Sequence, residues 1–192
     1  MGEYFQSIVD VEIGVHEAAD AKSRLTAWLV DREVIEAGLT DCVLGEPGGG
    51  HAPGANYAYA LGCQRDYVDP PRLWANGMAI SVGRQVYWGG DLEAVICPRC
   101  ARREQMRPRE QGRWDTVFND AIDDWVRGGA GLVECVGCGA QIGLNDWDWG
   151  YPWAFGALGV TVWNWDDLAD DFVAEIGQVL GGHRLVYSAN KL

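Results

Sequence analysis

The stretch Leu92–Ile142, LEAVICPRCARREQMRPREQGRWDTVFNDAIDDWVRGGAGLVECVGCGAQI, decides how this 192-residue chain is read. It carries two Cys-x-x-Cys pairs, Cys97/Cys100 and Cys135/Cys138. Two cysteines three positions apart on a tight turn can aim both thiolates at one ion, and two such turns complete a tetrahedron. The 34 residues between the pairs, 101–134, are more than a compact metal ribbon needs. A helix can take up the excess. Trp114, Val117, Phe118, Ala121, Ile122 and Trp125 recur at helical spacing over 114–127, and Gly128-Gly129 stops the pattern. The segment therefore reads as strand, knuckle, helix, strand, knuckle, with one ion tying its two ends together.

Other uses of four cysteines fit less well. The N-terminus, MGEYFQSIVDVEI, has neither a basic nor an apolar leader region, so a cytoplasmic location is expected and a disulfide framework is not. A thioredoxin-like redox pair needs one thiol at a helix N-terminus, whereas both pairs here follow strands. An iron–sulfur cluster also takes four cysteines. A catalytic zinc keeps an open position and draws on His or carboxylate ligands, which four cysteines leave no room for. The expected cofactor is a structural Zn²⁺ on Cys97, Cys100, Cys135 and Cys138. Cys42 and Cys63 are expected to be buried thiols.

The motifs Cys97-Pro98-Arg99-Cys100 and Cys135-Val136-Gly137-Cys138-Gly139 resemble the knuckles of the zinc-ribbon class. That resemblance covers about eight residues and implies metal binding alone. Gly137 and Gly139 are expected to supply the backbone angles of the turns. The C-terminal segment GVTVWNWDDLADDFVAEIGQVLGG, 159–182, resembles segments of bacterial proteins to which no activity is attached.

The rest of the chain reads as α+β. A mixed or antiparallel sheet with two or three packed helices is expected, as a single domain over 1–192 with an embedded zinc module over 92–142 that contains the helix 114–127. Strands are expected at 4–13, 56–62, 91–97, in "GLVEC", in "ALGVTVWNW" and in "HRLVYS". A hairpin turning at Gly83-Arg84 is expected over 77–90. An amphipathic helix begins near His16, with Ala18, Ala21, Leu25, Trp28 and Leu29 inward and Gly38 as its C-cap. A second follows "WNW", with Leu168, Phe172, Ile176, Val179 and Leu180 inward. Residues 45–56, rich in Gly and Pro, read as a loop with an exposed His51.

Net charge is −13 with a pI near 4.5, which disfavours duplex DNA. No apolar run is long enough to span a membrane. Six of the thirteen arginines fall between Arg99 and Arg113. Arg102, Arg103 and Arg107 are therefore candidates for RNA or single-strand contact, although a solvated loop that offsets the thiolate charge is the favoured reading of the run. Trp147, Trp149 and Trp153, set among Asp146 and Asp148, are candidates for a binding platform. No nucleophile elbow, Walker A or zinc-protease motif is present, and His16, His51 and His183 are isolated in sequence. The favoured expectation is a zinc-stabilised protein that binds another macromolecule, in one version an immunity-type inhibitor of a basic protein. The alternatives are nucleic-acid binding through the Arg run and an enzyme whose site is assembled from distant residues.

Overall fold

The computed structural model describes residues 2–62, 73–89, 92–105 and 114–192. It is α+β, with antiparallel pairing throughout its registered ladders. Six strands form the main sheet: β1 (Tyr4–Asp10), β2 (Ile35–Thr40), β3 (Gly50–Pro53), β4 (Gly77–Tyr87), β9 (Ala154–Trp163) and β10 (Leu185–Lys191), in the order β10-β1-β9-β4-β3-β2. Two short ladders join β5 (Ala94–Ile96) to β6 (Arg103–Gln105) and β7 (Leu132–Glu134) to β8 (Gln141–Gly143). The helices are α1 (Val15–Asp31), α2 (Asn119–Val126) and α3 (Asp170–Val179). The chain divides into two compact units, 1–83 with 156–192, and 84–155.

The first unit is built on the period-2 and period-3.6 patterns meeting at one core. Leu158, Val160 and Val162 alternate along β9 and join Ile8, Met78 and Ile80 in a cluster with Ala18, Ala21, Leu25 and Leu29 of α1 and Phe172 and Ile176 of α3. The opposite face of the same strands carries a smaller cluster of Ala79, Trp163 and Val43, with Phe5 packed on it. β1 lies between β9 and β10, so its residues Gln6–Asp10 are buried on both faces. The strand stops at Asp10, whose carboxylate accepts the amides of Glu12 and Ile13 and turns the chain into α1.

Several sequence expectations give way here. α1 ends at Asp31, and Glu33 takes the left-handed conformation expected of Gly38 (φ 56). β-branched Ile35 then starts β2, in which Gly38 lies. Residues 77–87 form one continuous strand. Gly83 absorbs a φ of 107 inside it, and no hairpin turn forms there. Tyr57–Ala60 is a single 3₁₀ turn in place of a strand. His51 sits on β3, only 5% exposed, with its Nδ1 2.8 Å from the Glu36 carbonyl. Cys42 is half-buried, and Cys63 lies outside the described residues.

Candidate metal centre

The 84–155 unit has its own core. A π-helical turn over Trp114–Phe118 runs into α2, so the apolar stripe expected over 114–127 does form a helix. Its inward side chains Phe118 and Ala121 pack with Val95, Val133, Ile142, Leu144, Trp147, Trp149 and Phe155. Phe118, which has no solvent exposure, meets Trp147 edge-on at 5.1 Å and Trp149 at 5.8 Å. Arg84 closes the helix: its guanidinium donates to the carbonyls of Trp125 and Gly129 and lies over the Trp125 ring. Gly128, at φ 104, ends it.

This core holds two knuckles of the same design. β5 leads into Cys97–Cys100 and β6 leaves it; β7 leads into Cys135–Cys138 and β8 leaves it. In the first, the Cys97 carbonyl accepts Ala101 N–H at 3.0 Å, Cys97 N–H donates to Arg102 O at 2.9 Å, and Arg99 N–H points at Cys97 Sγ from 3.4 Å. In the second, the Cys135 carbonyl accepts Gly139 N–H at 2.8 Å, Cys135 N–H donates to Ala140 O at 2.9 Å, and Gly137 N–H points at Cys135 Sγ from 3.4 Å. The residue after each second cysteine is left-handed, Ala101 at φ 57 and Gly139 at φ 68. Gly139 thus serves the angle expected of it, whereas Gly137 serves space. A Cβ on Gly137 would come within 2.8 Å of Arg102 Cδ and 3.2 Å of Cys100 Sγ.

The four Sγ atoms lie within 4.8 Å of one another. Cys97 and Cys138 are 3.9 Å apart, and Cys100 and Cys135 are 3.6 Å apart. A tetrahedron with metal–sulfur bonds of about 2.3 Å has edges of about 3.8 Å, which the two cross-knuckle separations match, so the donor set fits a tetrathiolate site. The fit is to a closed shell with no position left for a reacting water. Burial opposes ionisation of Cys135. The amides of Cys138 and Gly137 and the thiols of Cys97 and Cys100 outweigh it and hold its pKa down at about 7. At Cys100 the Arg102 amide favours the thiolate, yet burial and the thiols of Cys97, Cys135 and Cys138 push the pKa up to about 12. A dication held by the tetrad would favour the Cys100 thiolate against that opposition.

The other candidates are placed as follows. Trp147 and Trp149 are 4% and 3% exposed, so they build the core under the knuckles and offer no platform to a ligand. Trp149 donates its indole N–H to the Leu144 carbonyl, and half-buried Trp153 stacks on it at 5.1 Å. The Asp148 carboxylate accepts Gly150 N–H, and its backbone pairs with Ile96 beside the first knuckle. Asp146 is exposed. Arg102 and Arg103 are exposed on the strand leaving the first knuckle, and Arg102 lies against Gly137 of the second. Arg107 lies outside the described residues. Sequence reading missed β6 and β8, the return strands that turn each Cys pair into a hairpin. At three residues each, they are too short to show an alternation. No family model, curated protein or solved structure matches the chain, and the resemblance of the C-terminal segment gains no support from them.

Proposed function

We propose that the ion is Zn²⁺, that its role is structural, and that the protein works by binding another macromolecule, a basic protein in the manner of an immunity-type inhibitor. The observation that carries the structural role is the closed tetrad: four thiolates from two hairpins, with no vacant coordination position. The binding role is supported by where the charge lies. The unit formed by 1–83 and 156–192 carries seventeen acidic side chains against seven basic, while 84–155 carries eleven against eight. Asp170 and Asp171 at the start of α3, and Asp166 ahead of it, are all exposed. In the same unit Leu73 and Trp74 stand 54% and 63% exposed, the kind of apolar anchor that an acidic rim would surround.

Affinity capture from the source organism's lysate at low and moderate salt tests this, followed by association kinetics on the recovered partner. A basic protein in stoichiometric amount is expected. Reversing Asp166, Asp170 and Asp171 to Lys is expected to slow its association tenfold or more at low salt and to flatten the salt dependence. Unchanged kinetics in that triple variant contradict the reading. Recovery of RNA in place of protein moves the binding surface to Arg99, Arg102 and Arg103 beside the first knuckle.

A further inference from the structure

Two of the contacts between the knuckles join a buried sulfur to an exposed one. Cys97 and Cys135 are 1% and 0% exposed, whereas Cys100 and Cys138 face solvent. Two sulfur contacts run across the knuckles, Cys97 to Cys138 at 3.9 Å and Cys100 to Cys135 at 3.6 Å, within a set whose members all lie within 4.8 Å of one another. An oxidant arriving from water meets Cys100 and Cys138 first, and each has a buried thiolate from the other hairpin already in contact. Disulfide sulfurs stand about 2.05 Å apart, so each pair has less than 2 Å to close.

We infer that the tetrad is an oxidation site for hydroperoxides, and that it closes into two disulfides crossing between the knuckles, Cys97–Cys138 and Cys100–Cys135. This rests on the reading that the reduced tetrad holds zinc. The exposed thiolate attacks the peroxide's terminal oxygen and breaks the O–O bond, giving a sulfenic acid and hydroxide from hydrogen peroxide or an alkoxide from an organic hydroperoxide. The buried thiolate of the opposite knuckle then displaces a second hydroxide and forms the S–S bond. Two peroxides accept the four electrons of the tetrad, and the zinc ion, left without thiolate ligands, is released. The crossed connectivity has a structural consequence. Bridges within each Cys-x-x-Cys pair would free the β5–β6 hairpin from β7–β8, whereas crossed bridges keep them tied as the ion does. Oxidised protein therefore keeps 84–155 folded, which zinc removal without oxidation does not.

The experiment is titration of the full reduced, zinc-loaded chain with hydrogen peroxide, with metal content measured before addition. Zinc release is followed by a chromogenic chelator and disulfide connectivity by peptide mass spectrometry. Expected are one zinc released for about two peroxides consumed and the two crossed linkages. Cys100→Ser is expected to leave Cys97–Cys138 as its sole disulfide, and Cys138→Ser to leave Cys100–Cys135. Linkages Cys97–Cys100 and Cys135–Cys138 overturn the inference, as do sulfinic and sulfonic products without disulfides. Crossed linkages formed by a chain that held no zinc beforehand overturn the zinc reading and leave the oxidation chemistry standing.

Discussion

At the scale of single residues, the first unit contains a buried carboxylate whose bonds are fully accounted for. Asp10 is 1% exposed at the end of β1; it accepts the Glu12 and Ile13 amides and lies 2.8 Å from His183 Nδ1 just ahead of β10. The hydrogen bond to Asp10 raises the His183 pKa above its ordinary 6.5, against the opposing effect of burial. A raised folded-state pKa means the pair's contribution is fully present below about pH 6.5 and is lost as pH rises through the higher folded value. Melting temperature is accordingly expected to fall as pH rises above 6.5, with that part of the fall absent in His183→Gln. An identical pH profile in the variant contradicts the assignment. None of this was legible in the sequence, where Asp10 reads as the polar partner in an alternation and His183 as an isolated residue. A pair between a buried carboxylate and a half-buried imidazole 173 positions away has no local signature.

At the scale of elements, α2 shows how much a strong period reveals. Its stripe was readable because six apolar residues recur at helical spacing, and the structure places Phe118 and Ala121 of that stripe in the core. Phe118→Ala is expected to destabilise the 84–155 unit by about 3–5 kcal/mol, the cost of a cavity under Trp147 and Trp149. Urea unfolding followed by tryptophan emission checks it; a loss under 1 kcal/mol would mean that the helix does not close this core. The strands were less legible. Gly83-Arg84 has the composition of a turn, but a glycine within β4 takes up the positive φ and the strand runs on. The Gly- and Pro-rich stretch at 45–56 hides β3, because its β-structure comes from pairing with β2 and β4 and not from its own residues. The knuckles were legible as spacing. Their shared hydrogen-bond pattern was not, since Ala101 holds a left-handed position that sequence alone assigns to glycine.

At the scale of the whole molecule, charge and core are distributed unevenly. One unit carries most of the acid and a core of sheet and two helices; the other carries the cysteines, α2 and a cluster rich in aromatic rings. Of the tryptophans that the sequence offered as a surface, Trp147 and Trp149 are 4% and 3% exposed and Trp153 is half-buried. Burial of large rings is the ordinary fate of such side chains, and sequence cannot tell a Trp-rich core from a Trp-rich interface. Among the described residues, no helix is long and apolar enough to cross a membrane. In the small 84–155 unit, the two hairpins are three-residue ladders whose ends meet at the sulfur tetrad, where an ion held by the four thiolates would contribute to folding directly.

The most direct measurement is metal content by mass spectrometry together with hydrogen exchange before and after chelation under reducing conditions. The account expects one zinc per chain and, on its removal, loss of amide protection across 84–155 with protection retained in β1, β9 and α3. A chain purified without stoichiometric metal, or one whose 84–155 amides stay protected after the metal is gone, contradicts it.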